Sequence, residues 1–235
     1  MALTLQAPDQ GTSTIPTTNR PASRGAVFSC ERYTEQVMTE TKHQGLLLII
    51  SGPSGVGKTT LIERLHQKFD FAFSVSATTR ARTEKETDGV DYFFLDEITF
   101  TQWISEDRFL EYAHVFEKYW YGTPRDAVQQ KLNEGRIVVL DIEVQGAEQV
   151  RRHMPEAFGV FVLPPSEEAL HQRLIDRKRD APDVIERRFA QARAEIATAT
   201  AEGQTTYDVH IVNDDLDRAS QELDGILSER LKRTD

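Results

Sequence analysis

A single cysteine, Cys30, stands in 235 residues, so no internal disulfide can form and no cysteine cluster can hold zinc. Nor does any uninterrupted apolar run approach the ~18–20 residues that cross a bilayer, which excludes a spanning helix and makes a membrane an unexpected partner. Basic residues are the minority, with 28 Lys and Arg against 38 Asp and Glu and a formal net charge of -10. Such a chain repels polyanions unless its positive charge is gathered locally, so nucleic acid is not expected as a partner either. Internal repeats are lacking. The remaining composition, 39% hydrophobic and 28% charged, is that of an ordinary folded domain, and a reducing cytoplasmic setting suits it.

Residues 1–25 contain no aromatic residue and are rich in Thr, Ser, Pro and Gln. That composition cannot bury enough apolar surface to offset chain entropy, so a disordered segment is expected. It has no apolar stretch like that of a secretory signal. Arg20 and Arg24 outnumber Asp9, as in a transit peptide, but the prolines oppose the amphipathic helix such a peptide needs. A short helix is expected over residues 31–41, within a weakly ordered extension at 1–42.

The pattern changes at Leu46. Leu46–Ile50 is continuously apolar, as in a strand buried on both faces of a parallel sheet. A glycine-rich turn follows, then Leu61, Leu65 and Phe69 at helical spacing. Ile137–Leu140, Val160–Leu163 and Val209–Val212 repeat the strand signature, each before a helical pattern. Ser166 is placed to cap one helix, and Gly135 to close another that starts near Pro124. Strands alternating with helices predict an α/β fold with a parallel sheet covered on both faces. Residues 74–115 break the rhythm with shorter segments and many aromatics, predicting an inserted α+β lobe.

Gly52-Pro-Ser-Gly-Val-Gly-Lys58-Thr59 matches G-x-x-x-x-G-K-[ST] and lies between a buried strand and an amphipathic helix. Its backbone N–H groups can turn inward around phosphate oxygens while the helix N-terminus adds its positive dipole end. Lys58 is placed to reach the β- and γ-phosphates and the Thr59 hydroxyl to bind Mg²⁺. Ser54 does not form a nucleophile elbow, because Val56 occupies the final glycine position. Far along the chain, Arg173, Arg177, Lys178, Arg179, Arg187 and Arg188 cluster, interleaved with Asp176, Asp180 and Asp183. That cluster fits either a salt-bridged helix surface or a cationic lid closing over a transferring phosphoryl group.

Several segments together resemble the guanylate kinases, P-loop nucleoside monophosphate kinases. They are Gly52–Thr60 (GPSGVGKTT), Ser74–Arg80 (SVSATTR), Gly89–Phe94 (GVDYFF), Phe109–Ala113 (FLEYA), Tyr121–Pro124 (YGTP), Leu140–Gly146 (LDIEVQG), Leu163–Ser166 (LPPS) and Ile211–Leu216 (IVNDDL). They occur in the family's order and cover nearly everything after residue 42. The resemblance implies a P-loop core (43–73, 135–170 and 189–235), a GMP-binding lobe (74–134) and a helical lid (171–188). It implies transfer of a phosphoryl group from ATP to GMP with Mg²⁺ as cofactor.

By position, the resemblance assigns ATP to Gly52, Pro53, Ser54, Gly55, Val56, Gly57, Lys58, Thr59, Thr60 and Asn213. GMP falls to Ser76, Arg80, Arg82, Tyr92, Glu111, Tyr121, Thr123 and Glu143. Thr59 and Asp141 would hold the metal ion, and Lys58, Arg80, Arg173, Arg177 and Arg188 would act on the transferring group. The residue chemistry agrees: guanine offers N1–H and N2–H₂ to one carboxylate and O6 to a hydroxyl donor, the set supplied by Glu111 and Thr123. On local pattern alone Glu111 would read as an exposed helix carboxylate. Asp141 and Glu143, two apart at a strand end, are expected to point the same way.

Three departures stand out. The family's second phosphate arginine, three residues after the first, is Thr83 here, with Arg82 one position earlier. The stretch Val115–Tyr121 is one residue longer than usual, which predicts Trp120 as added bulk beside the monophosphate site. Glu143 replaces the usual aspartate. Two other readings fit a drifted substrate side: transfer to another phosphorylated acceptor, which Glu111 and Thr123 oppose, and a protein-binding module, which the intact Lys58–Thr59 opposes. A GTPase switch would need an N/T-K-x-D segment that is not visible.

Overall fold

The computed structural model describes residues 45–115, 118–176 and 180–232; the expected helix at 31–41 and Arg177 lie outside them. The apolar run folds as β1 (Leu46–Ser51), every residue of which is buried. The phosphate-loop glycines lead into α1 (Lys58–His66), whose Leu61, Ile62 and Leu65 face the core. A short strand not evident from the apolar pattern, β2 (Phe71–Phe73), follows.

The insertion contains β3 (Ala77–Thr78), β4 (Phe93–Phe94), α2 (Glu97–Ser105), β5 (Phe109–Val115) and β6 (Tyr119–Pro124). Asp96 caps α2 by accepting from the Thr99 N–H at 2.6 Å. The main chain resumes with α3 (Arg125–Asn133), β7 (Ile137–Asp141) and α4 (Val144–His153). Then come β8 (Phe158–Leu163), α5 (Glu167–Asp176), α6 (Pro182–Ala199), β9 (Val209–Val212) and α7 (Leu216–Lys232). Ser166 caps α5 through the Ala169 N–H at 3.1 Å, and Gly135 adopts φ 76° past the end of α3, both as the sequence indicates.

The main sheet has the order β2-β7-β1-β8-β9, and all its pairs are parallel. Two apolar clusters sandwich it. One contains Leu48, Ile50, Leu61 and Leu65 with Leu223 and Leu227 of α7; the other contains Leu47, Ile49 and Phe161 with Ala147 and Val150 of α4. Val128 and Leu132 of α3 belong to the second cluster, so α3 packs on the core sheet. Each large aliphatic or aromatic side chain so buried contributes ~1.5–3 kcal/mol of transfer free energy.

A second sheet, ordered β4-β3-β6-β5, carries a separate small cluster of Ala77, Phe100 and Phe109 under α2. Its two faces differ by the period-2 rule. Register places Thr78, Phe94, Tyr121 and Ala113 on one face and Ala77, Phe93, Gly122 and Tyr112 on the other. The second face is the one α2 covers. Among the described residues no helix is long and apolar enough to cross a membrane.

Candidate active site

The phosphate loop leaves the C-terminal end of β1, where the strand order turns from β7 on one side to β8 on the other. Open parallel sheets place ligands at such a point. Gly57, the cap of α1, sits at φ 104°, and a Cβ there would lie 2.5 Å from the Asn213 amide nitrogen. Only glycine satisfies both the backbone and the space. Lys58 Nζ donates to the Gly52 carbonyl at 2.6 Å and stands 3.9 Å from an Asp141 carboxylate oxygen.

Asp141 ends β7, whereas Glu143 is already the N-cap of α4, so the two carboxylates do not share a strand. The expectation that they point the same way is corrected because the strand ends at Asp141 and the two carboxylates line different pockets. Asp141 lines a pocket of about 350 Å³ with Thr59 and Glu63, and Glu143 lines the main cleft. Burial raises the Asp141 pKa, opposed by the nearby Lys58 ammonium. A hydroxyl and a partly buried carboxylate beside a phosphate loop are hard oxygen donors that suit Mg²⁺. Among the described residues no group of three His, Cys, Asp or Glu side chains could hold a metal unaided.

The main cleft, about 930 Å³, runs from Gly52, Ser54 and Lys58 to the edge of the inserted lobe and to α6. Arg188 on α6 donates to the Ser54 hydroxyl and pairs with Asp180. Glu195, two turns further on, reaches the same cleft, and burial raises its pKa. Arg173 is elsewhere. Its guanidinium donates to the Val56 carbonyl at 3.2 Å and the Asn213 carbonyl at 2.8 Å. The Asn213 amide also donates to the Val56 carbonyl, at 2.7 Å. Arg173 therefore braces the outer side of the phosphate loop, in a separate pocket lined by Gly55, Thr60, Asn213 and Asp214. Pro53 is buried within the loop.

On the open face of the lobe sheet, Arg80 lies 5.4 Å from the Tyr92 ring centroid and 5.7 Å from that of Phe94. Tyr92 and Tyr121 meet edge to face at 6.0 Å. Glu86 binds Arg80 in a fork, at 2.6 and 3.1 Å, and also accepts from the Thr83 N–H and hydroxyl. The Arg80 guanidinium, followed by the two Thr83 donors, lowers the Glu86 pKa to about 2. The Glu86 carboxylate in turn holds Arg80 deeper in its charged range. Arg82 is exposed and donates to the Glu86 carbonyl at 3.4 Å. Ser76 is half-buried, its carbonyl accepting from the Phe93 N–H.

Trp120 is not beside these groups. It follows from strand alternation that it faces away from Tyr121, and it stacks on His114 at 4.5 Å and on Phe100 at 5.9 Å. The expected added bulk at the monophosphate site is thus corrected: the indole packs into the lobe's own cluster and only borders the main cleft.

Glu111 is on a strand, not a helix surface, and is 9% exposed. It accepts the hydroxyl of Thr123, its β6 neighbour across the ladder, at 2.6 Å. Burial raises its pKa; Thr123 opposes the shift and the Glu143 charge adds a smaller increase. A buried carboxylate and hydroxyl so placed can read a polar edge with two adjacent donors and an acceptor. Sequence reasoning misses Glu86, Gln149 and Glu195. Of these, Glu86 has a usable signal, lying six residues after Arg80 in a turn-rich segment.

A family model described as guanylate kinase matches residues 44–230. A guanylate kinase of Sodalis glossinidius is 49% identical over 193 residues, 80% of this chain and 90% of the relative. One of Thiobacillus denitrificans is 46% identical over 188 residues, 79% of this chain and 87% of the relative. The crystal structure of guanylate kinase from Anaplasma phagocytophilum superposes with a TM-score of 0.57 at 30% identity, covering 80% of this chain and 87% of that one. Shared sequence along nearly the whole described chain, on a P-loop sheet with an inserted lobe, leaves one conclusion: the chain belongs to the guanylate kinase family.

Proposed function

We propose that this chain transfers the γ-phosphoryl group of ATP to GMP, giving ADP and GDP, with Mg²⁺ as cofactor in the cytoplasm. The observation that carries this reading is the buried Glu111–Thr123 pair, in a lobe that opens onto the same cleft as Lys58. An ionised Glu111 accepts guanine N1–H and N2–H₂, and Thr123 turns its hydroxyl to O6. Adenine would present an acceptor to the carboxylate, leaving buried polar groups unpaired at a cost of about 1–3 kcal/mol each.

Within this reading the GMP lobe, expected over 74–134, ends with β6 at Pro124 because α3 packs on the core sheet, and 171–188 is the lid. Arg80, with Tyr92, Tyr121 and Ser76, holds the GMP phosphate. Thr83 stands where the family's second arginine would be and is engaged with Glu86, so Arg80 carries more of that contact. Lys58 exchanges the Gly52 carbonyl for the β- and γ-phosphate oxygens. Arg188 exchanges Ser54 for the transferring group, with Arg177 as its partner from the lid. Thr59 and Asp141 would hold Mg²⁺, which when bound would neutralise charge on the triphosphate.

In the chemical step a GMP phosphate oxygen forms a bond to the γ-phosphorus while the bond to the β–γ bridging oxygen breaks. ADP departs with that electron pair, and no covalent enzyme intermediate forms. Catalysis is therefore positional and electrostatic. Coupled ADP formation measured with GMP, AMP, UMP and CMP tests the reading. Turnover is expected with GMP in strong preference; no GMP-dependent turnover, or a preference for AMP, would sink it.

A further inference from the structure

The lobe sheet leaves β5 as an edge strand. Edge strands present unpaired N–H and C=O groups. Here α4 of the core supplies their partners. The Gln149 carboxamide accepts from the Tyr112 N–H at 3.2 Å and donates to the Tyr112 carbonyl at 3.1 Å. One turn further along, His153 Nδ1 meets the Leu110 carbonyl at 2.8 Å. One turn back, a Cβ on Gly146 would lie 3.2 Å from Glu111 Oε2. Positions 146, 149 and 153 share one helix face. Gln149 and His153 hold the backbone on both sides of Glu111, and Gly146 leaves room for its carboxylate.

The N-cap of the same helix is Glu143, the second carboxylate assigned to GMP. One rigid helix therefore connects the two acidic groups, one by its own start and one through the seam with β5. We propose that Gln149 is a positioning residue for guanine recognition, acting as a surrogate strand that fixes Glu111 relative to Glu143. The inference rests on the reading of this chain as a GMP-phosphorylating enzyme.

The chemistry selects a carboxamide. It offers one acceptor and one donor side by side, matching the N–H and C=O of one strand residue. A carboxylate at 149 would meet the Tyr112 carbonyl with a second acceptor, and a leucine would satisfy neither group. Displacement of Glu111 by a fraction of an ångström then weakens contacts to the guanine edge while the phosphate loop, in another element, is untouched.

The test is steady-state kinetics of Gln149→Leu and of Gln149→Glu, which keeps side-chain length and helix propensity should the leucine variant not fold. For both, the GMP KM is expected to rise on the order of 10-fold, with kcat and the ATP KM within about twofold. Placed on Glu111→Gln, the Gln149→Leu change should add less than about twofold, since the two act through one contact. A GMP KM within about twofold of the parent protein, or GMP and ATP KM rising together, would overturn the proposal. GMP turnover by the unsubstituted protein in the same assay separates the claims: its absence overturns the functional reading and this role with it.

Discussion

In the proposed guanine site Glu111 combines burial with a requirement for charge, and the two pull in opposite directions. Desolvation raises its pKa, so the free protein binds a proton there at higher pH than an exposed glutamate would. If Glu111 reads the guanine edge as proposed, guanine donors stabilise the ionised form and GMP binding expels that proton. The sign follows: kcat/KM for GMP should climb with pH up to the raised pKa of the free enzyme and level off above it. In Glu111→Gln that acid limb should vanish, the GMP KM should rise, and rejection of AMP should weaken. Because ionised Glu111 is disfavoured by burial, the same substitution should raise the Tm at neutral pH above that of the parent protein. An unchanged pH profile would remove Glu111 from the guanine site. At the opposite extreme Glu86, tied to Arg80 and Thr83, contributes stability above the ordinary carboxylate pKa that is lost only as pH falls toward about 2.

At the level of elements, the lobe sheet has a small core of its own beside the Leu110 side chain that β5 buries in the main one, so the lobe can loosen while the main sheet stays folded. Phe100 and Phe109 stack at 4.5 Å and both are buried, in a cluster distinct from those flanking the main sheet. Phe100→Ala should cost about 3–5 kcal/mol by opening a cavity under the lobe sheet. GMP binding should weaken sharply while ATP binding, measured by direct titration, persists. Equal loss of both would mean that the lobe and core unfold as one. The same elements show what the sequence can convey. Strands β1, β7 and β8 are legible because a strand inside a parallel sheet covered on both faces carries a continuous apolar run, and the edge strand β9 is legible from its three β-branched residues around His210. By contrast β2 is a three-residue edge strand, and β6 carries Gly122 and Pro124, so neither bears a periodic signature. The phosphate loop is legible for the same reason as β1: all its parts are contiguous. The seam of Gln149 with Tyr112 joins residues 37 apart, and the brace of Arg173 against Val56 joins residues 117 apart, so no short pattern encodes either. Trp120 shows the complementary failure, where chain length reveals an insertion but strand register decides the face it occupies.

For the whole molecule, a net charge of -10 surrounds a site made for polyphosphates. Charges spread over the surface are screened beyond ~8–10 Å, whereas those inside the cleft act at contact, so the local cations decide nucleotide binding. Among these cations Arg188 spans from α6 to Ser54 of the phosphate loop and is balanced by Asp180. If α6 carries the lid as proposed, both partners are groups that nucleotide phosphates can displace, and these contacts hold Arg188 near its working position before the chemistry begins. A guanidinium there can present two donors in a plane to phosphoryl oxygens, and an ammonium cannot. Arg188→Lys keeps the charge and most of the reach, which isolates the fork geometry. If the fork acts on the transferring group, kcat should fall on the order of 10²-fold, about 2.7 kcal/mol, while both KM values change by less than about threefold. A rise in the ATP KM with kcat intact would instead assign Arg188 to ground-state binding of ATP, and the lid to holding the nucleotide without acting on its transfer.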